Sequence, residues 1–292
     1  MKEAKIIAIG DNVVDQYLSR GKMYPGGQCV NTCVYSMMNG GKPAYLGKFG
    51  DDAVAEYNCM ILDKLGIDYS HSRHFHGENG AARVTLKDGD RVFLGSNRGG
   101  VAKEHPFAFT SGDIEYIRGF QIIYTNTNSY IYEDLPALAK TGVPIAFDFS
   151  TVWDDELLEQ VCPHLQIALL SCAHLSEAER EVQMRKVASY GVKLVVGTMG
   201  EAGSYALYDG AILYAAAQRA QTVLDTMGAG DSYFATLLTT LLQDGGALFE
   251  GDPEQMKARI MAAMERGAEF AAKVCGMEGA FGYGTDLAKN II

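Results

Sequence analysis

The sequence has 292 residues, of which 48% are hydrophobic, and a formal net charge of −11. That length and apolar fraction suffice for a sizeable core, while the acidic balance argues against a nucleic-acid surface, which needs clustered Lys and Arg. No apolar run approaches the roughly 20 residues of a membrane span, and no membrane partner is expected.

Met1-Lys2-Glu3-Ala4-Lys5 runs straight into Ile6-Ile7-Ala8-Ile9, too short an apolar stretch for a signal-peptide core, so a cytoplasmic location is the expectation. The first strand is predicted at 5–9. At its carboxyl edge stands Gly10-Asp11-Asn12-Val13-Val14-Asp15, continuing into an extended stretch at 13–19. Gly26-Gly27-Gln28-Cys29-Val30-Asn31 then opens a helix at 28–39. Carboxylates and an amide converging on one crevice suit a polyhydroxylated ligand, because Asp accepts from hydroxyls while Asn both donates and accepts. Read alone, Asp11 and Asp15 are equally turn residues, and Gly26-Gly27 equally a loop. There is no GxGxxG after this strand and no GxxxxGK[ST] anywhere, which disfavours a dinucleotide-dependent oxidoreductase and excludes a P-loop enzyme.

A strand at 44–47 and a helix at 53–65 follow, then a polar loop with His71, His74 and His76 whose spacing fixes no ligand geometry. Extended runs at 81–86 and 91–94 flank Asp88-Gly89, a hairpin signal. A hairpin inserted in a βαβ series is expected to project from the sheet as a lid. Strands at 121–125, 144–148, 166–170 and 193–197 alternate with helices at 132–140, 154–161 and 176–190. These strands are continuously apolar, the pattern of a parallel sheet covered on both faces. All six cysteines lack CxxC spacing and read as reduced core residues, Cys29 and Cys33 among them on one helix face.

Thr198-Met199-Gly200-Glu201-Ala202-Gly203 directly follows the strand at 193–197. Ligands of open α/β sheets lie beyond strand carboxyl ends, so this turn is a candidate nucleotide contact; alternatively it is a plain turn into 204–208. The strongest local signal is Asp225-Thr226-Met227-Gly228-Ala229-Gly230-Asp231, which precedes an apolar helix through 243, with a further helix at 253–274. A helix N-terminus exposes unpaired N–H groups and the positive end of its dipole, and glycines admit a phosphate close to them. Asp231 beside such an anion hole is placed to take a proton from an attacking hydroxyl. On residue types alone it is equally an N-terminal capping aspartate.

Together, in order along the chain from Ile6 to Gly279, these segments resemble the ribokinase-like (pfkB-type) carbohydrate kinases. The early signature is Gly26-Gly27-Gln28-Cys29-Val30-Asn31 with Gly47-Lys48-Phe49-Gly50-Asp51-Asp52, and the late one is Asp225 to Asp231. Within the family, Gly10-Asp11-Asn12, Val14-Asp15, the segment 87–93, Ala146-Phe147-Asp148-Phe149-Ser150, Trp153-Asp154 and Pro163-His164-Leu165 are most similar to the members that phosphorylate fructoselysine and related fructosamines.

The resemblance implies an α/β fold, a three-layer α/β/α arrangement with a mostly parallel central sheet and a small β lid. It implies a single kinase domain over 1–292, with lid strands inserted near 12–20 and 80–100. It implies ATP and Mg²⁺ as cofactors, a small sugar as substrate, and a homodimer paired through the lid. By position, Asp231 is the expected base and Gly228, Ala229 and Gly230 the anion hole. Asp11, Asp15, Gly26, Gly27 and Asn31 are expected at the sugar, with Arg98 at the α-carboxylate of a fructosamine. Thr198, Gly200, Gly203 and Asp225 are expected at the nucleotide, and a monovalent cation near Asp225 is left open. Glu177 stands where the family acts on Mg²⁺ through water, although His174-Leu175-Ser176-Glu177 carries His in place of the usual Asn. Thr236 departs from the small residue usual there. A kinase for another sugar, sugar acid or nucleoside is the alternative reading, and a non-catalytic nucleotide- or sugar-binding regulator is a third.

Overall fold

The computed structural model describes residues 2–87, 90–245 and 247–287. In chain order the strands are β1 (Ile6–Gly10), β2 (Val13–Tyr17), β3 (Lys22–Gly26), β4 (Ala44–Phe49), β5 (Arg73–His74), β6 (Gly80–Lys87), β7 (Asp90–Ser96), β8 (Ile122–Asn126), β9 (Ile145–Asp148), β10 (Ile167–Ser171), β11 (Leu194–Thr198), β12 (Ser204–Tyr208), β13 (Ala211–Ala215) and β14 (Thr285–Asp286). The α-helices are α1 (Gln28–Met38), α2 (Ala53–Leu65), α3 (Val101–Glu104), α4 (Ser111–Ile117), α5 (Leu135–Ala139), α6 (Asp155–Val161), α7 (Glu177–Ser189), α8 (Ala229–Gln243) and α9 (Pro253–Val274).

The large sheet has the order β13-β12-β11-β10-β9-β8-β1-β4-β5. All its neighbours are parallel except β11–β12 and β12–β13. The apolar strand runs noted in the sequence are therefore its parallel core, buried on both faces as such strands must be. Along β1 the side chains alternate: Ile6 and Ala8 join the core layer formed with α1, α2, α8 and α9, whereas Ile7 and Ile9 join the layer formed with α4 to α7. This is the expected three-layer arrangement. The antiparallel edge formed by β12 and β13 was only half legible, as the alternative reading of the turn after β11.

The second sheet has the order β14-β3-β2-β6-β7, with β2 and β6 parallel and its other pairs antiparallel. The expected lid is thus present but broader than two inserted segments. Lys22–Gly26 and Thr285–Asp286 carry no alternating apolar pattern strong enough to mark them as strands, and their pairing is set by neighbours. The turn Asp88-Gly89 lies outside the described residues. Val54 of α2 packs with Val14 and Met23 of the lid, so α2 joins both sheets. Among the described residues no helix is long and apolar enough to cross a membrane.

Candidate active site

Strand order in the large sheet reverses at β1, which lies between β4 and β8. The carboxyl ends of β1 and β8 at this switch point are the usual ligand position in such sheets. Asp11 follows β1, and Asn126 ends β8; the Asn126 amide donates to Asp11 Oδ1 over 2.7 Å. Asp11 also accepts from the N–H groups of Gln28 (2.8 Å, at Oδ2) and Cys29 (3.1 Å, at Oδ1). It thereby caps α1 from outside the helix, since Gly27 offers no side chain. Three of roughly four lone-pair positions on this carboxylate are used.

Gly27 is required by close approach: at φ +97°, a Cβ there would come within 2.9 Å of the Asn12 Cα. Asp15, 4% exposed, lies under Gly26, whose Cβ would stand 2.8 Å from Asp15 Oδ2. Gln28 and Asn31 are three residues apart on α1 and so share one face. Asn31 Nδ2 donates to Asp231 Oδ2 over 2.7 Å, and its buried Oδ1 has no protein partner. That acceptor lies near Asp15: a Cβ on Gly26 would stand 2.8 Å from Asp15 Oδ2 and 3.9 Å from Asn31 Oδ1.

Asp231 occupies the third position of α8, whose N-cap is Gly228 in the left-handed conformation with no capping side chain. At φ +74°, a Cβ on Gly228 would fall 2.2 Å from Tyr35 Oη, whereas one on Gly230 would meet nothing within 4 Å. The helix end is therefore packed from behind at Gly228 and open in front at Gly230, the geometry of an anion site. Burial, followed by the charges of Asp231, Asp15 and Asp225, holds the Tyr35 phenol well above its ordinary range. It remains a donor, to Ala280 O over 2.5 Å.

Asp225 is 7% exposed. Its oxygens accept from the Tyr17 hydroxyl (2.5 Å) and the Met227 N–H (3.0 Å). It ties the lid strand β2 to the turn that leads to Gly228. Thr198 ends β11, and its carbonyl accepts from Cys172 N (2.8 Å). Gly200 to Ala202 form a single 3-10 turn before β12, so the Thr198–Gly203 segment is both a strand-end turn and the bend into an antiparallel edge. Glu177 is exposed in the first turn of α7, outside the capping box that Ser176 forms with Glu179. Arg98 is exposed after the lid hairpin, and its carbonyl accepts from Tyr130 Oη over 2.6 Å.

The sequence-selected residues thus divide. Asp11, Asp15, Gly26, Gly27, Asn31 and the 228–231 turn are tied into one cluster by these contacts, with Asp225 attached through the turn. Thr198, Gly200, Gly203 and Glu177 follow the ends of β10 and β11 in the same sheet. Three residues of the cluster were missed as site residues: Gln28, Asn126 and Asp148, the last buried at the end of β9. Their signal was position at a parallel strand's carboxyl end or a helix start, which residue type alone did not single out. The three histidines take separate partners: His71 faces Asp113 (3.0 Å), His74 stacks on Phe49, and His76 faces Asp51 (2.6 Å).

The model of the pfkB family carbohydrate kinases matches residues 3–282. The chain is 38% identical to the fructosamine kinase FrlD of Bacillus subtilis (strain 168) over 283 residues, 96% of this chain and 94% of that one. It is 36% identical to the fructoselysine 6-kinase of Escherichia coli (strain K12), over 80% of this chain and 87% of that one. Its structure is similar to that of ribokinase from Giardia lamblia, with a TM-score of 0.82 over 96% of this chain and 95% of that one; at 14% identity this likeness shows the ribokinase-like fold alone.

Proposed function

Because the chain belongs to the pfkB family of carbohydrate kinases, we propose that it transfers the γ-phosphate of ATP to the 6-hydroxyl of fructoselysine or a closely related fructosamine. The family makes it a phosphotransferase acting on a sugar with ATP as donor. Relatives named fructosamine kinase and fructoselysine 6-kinase, at 38% and 36% identity, support the fructosamine.

The observation that carries the reading is Asp231 at the uncapped N-terminus of α8, with one oxygen held by Asn31 at 2.7 Å. In the reaction the sugar oxygen bonds to the γ-phosphorus, the bond to the bridging oxygen breaks, and its electron pair leaves with ADP. Asp231 accepts the hydroxyl proton. The N–H groups at Gly228 and Gly230 face the negative charge that develops on the transferred group, and that of Ala229 joins them by leaving the Thr226 carbonyl, to which it donates over 3.3 Å. Asp15, Gly26, Gly27 and Asn31 hold the sugar, the orphaned Asn31 Oδ1 taking a hydroxyl hydrogen, and Asp11 uses its remaining lone pair while it fixes α1. Arg98 meets the α-carboxylate of the fructosamine. Thr198, Gly200 and Gly203 line the nucleotide.

Glu177, an exposed hard-oxygen donor at a helix start, fits Mg²⁺ held through water. The ion supplies neutralisation of phosphate charge when bound. The Asp225 carboxylate is directed at Tyr17 and the Met227 N–H, which fits a structural tie better than a monovalent-cation ligand. The reading takes residues 1–292 as one catalytic domain whose second sheet covers the sugar and excludes water. Exposed Leu18, in the turn after β2, and exposed Leu94 on β7 support a homodimer paired through that sheet; the cytoplasm is the location this function takes.

The test is ATP consumption across free sugars, nucleosides and glycated amino acids, with product mass and the position of phosphate determined. Fructoselysine is expected to give the highest kcat/KM; a preference for ribose or fructose overturns the substrate assignment.

A further inference from the structure

Asp148, at the end of β9, takes no part in the reaction as described. It is 3% exposed, and its two oxygens accept from the Ser150 N–H (2.7 Å) and from Gln28 Nε2 (3.2 Å). The same Gln28 nitrogen stands 3.5 Å from Asp231 Oδ1. Gln28 is fixed on two other sides: its Oε1 accepts from Asn128 Nδ2 (2.9 Å), and its main-chain N–H donates to Asp11 (2.8 Å). The amide therefore has one orientation, with its oxygen toward Asn128 and its two hydrogens divided between the two carboxylates. From α1, Asn31 holds one oxygen of Asp231, and Gln28 holds the other.

Resting on the reading of Asp231 as the base, we propose that Asp148 is a positioning residue for phosphoryl transfer, fixing the Asp231 carboxylate through the Gln28 amide. A carboxylate is a competent base only when its acceptor lone pair faces the hydroxyl, and a displacement of Asp231 by about 1 Å takes it out of line. With Asp148 as an immobile anchor, the Gln28 side chain cannot swing away from Asp231 without leaving a buried charge unsatisfied.

A second consequence concerns the proton. The groups facing Asp148 are Asp231 from α8, Asp11 after β1, Tyr124 from β8 and Gln28 from α1, and none of these is cationic. Burial, then Asp231, then Asp11 push the Asp148 carboxyl up to about 7, against the opposing pull of the Ser150 N–H and Gln28. Asp148 is therefore the carboxyl of this cluster whose proton affinity burial and its acidic neighbours raise toward neutrality.

The experiment is steady-state kinetics of Asp148→Ala, Asp148→Asn, Gln28→Leu and the double variant Gln28→Leu/Asp148→Ala, with fructoselysine and ATP over a range of pH. Asp148→Ala and Gln28→Leu are each expected to lower kcat about 10- to 100-fold with both KM values within about threefold of the wild type, the split that marks an effect on the transition state. The double variant is expected to be no worse than either single one. Asp148→Asn, whose one acceptor oxygen can serve Gln28 at the expense of the Ser150 N–H, is expected to recover part of kcat and to lack any titration near pH 7 in the kcat profile. A folded Asp148→Ala enzyme with kcat within about twofold of wild type, losses confined to KM, or additive losses in the double variant overturn the proposal. A wild-type titration near pH 7 that persists in Asp148→Asn overturns the proton assignment. If Asp148→Ala does not fold, Gln28→Leu and Asp148→Asn carry the same test. Asp231→Asn assayed alongside separates the two readings: an active Asp231→Asn sinks the base itself, whereas an inactive one beside a wild-type-like Asp148→Ala sinks only the positioning role.

Discussion

The Tyr17 hydroxyl donates to the Asp225 carboxylate over 2.5 Å across 208 residues of sequence, joining the second sheet to the turn that leads into α8. Hydrogen bonds to charged groups contribute about 1.5–3 kcal/mol. Tyr17→Phe is therefore expected to lower the thermal midpoint and to raise the KM for ATP about three- to tenfold, because Asp225 also holds the Met227 N–H. Calorimetry and ATP titration check this; a variant unchanged in both would show that the link is dispensable.

Asp231→Asn is expected to reduce kcat by about 10²–10⁴ while ATP binding, measured by calorimetry, stays within about threefold of the wild type. Loss of binding in step with turnover would point instead to a collapsed α8 terminus.

At Gly228 two penalties coincide: a left-handed backbone at φ +74° and the Tyr35 Oη 2.2 Å from any added Cβ. The backbone term alone costs roughly 1–2 kcal/mol for a residue other than glycine. Gly228→Ala is expected to be destabilised beyond that value and nearly inactive. Adding Tyr35→Phe removes the clashing oxygen and is expected to return part of the stability, measurable by chemical denaturation. No return would mean that the backbone conformation dominates.

Lys48 on β4 is 1% exposed, with Nζ donating to His105 O (2.7 Å) and lying 3.9 Å over the Phe107 ring. Burial chiefly, with Arg73 adding and Asp134 opposing, lowers its ammonium to about 8. An unfolded lysine holds its proton to about 10.4. Between those values the unfolded chain binds more protons, so this group's contribution to stability rises with pH through that window. Lys48→Met lacks the titration. The difference in thermal midpoint, variant minus wild type, is expected to fall between about pH 7.5 and about pH 10; a constant difference would refute the lowered value.

Arg98→Ala is expected to raise the KM for fructoselysine about tenfold and to leave that for fructose unchanged, since only the former carries an α-carboxylate to pair with a guanidinium. Equal effects on both sugars would assign Arg98 to the loop itself, which Tyr130 already holds through the Arg98 carbonyl.

The parallel core was legible because buried strands such as Ile6–Gly10 and Leu194–Thr198 are apolar along their whole length. Asp231 and Asn31 were legible because glycines flank or precede them at helix starts. Lys22–Gly26 was not: it contains Pro25, and as a strand it depends on pairing with β2 and β14. Asp148 and Gln28 escaped for a different reason. Their importance lies in a bond between residues 120 positions apart, and neither type is unusual where it stands. The capping role of Asp11 was equally invisible, since the helix it caps begins 17 residues later.

The ribbon of β2 and β3 leaves the large sheet after Gly10 and returns at Gly27, closed at its base by the pairing of Val13 with Gly26 and by the Asp11–Gln28 bond. Chain and hydrogen bonds there form a closed ring, and α1, which starts from it at Gln28, carries Asn31 to its bond with Asp231. Farther out, Gln16, Tyr17 and Met23 are also buried, and Met23 packs with Val14 and Val54. The ribbon is thereby anchored twice, at its base by the ring and at its far end by the bond from Tyr17 to Asp225, so a change in its sequence is felt at the start of α8 as well as of α1.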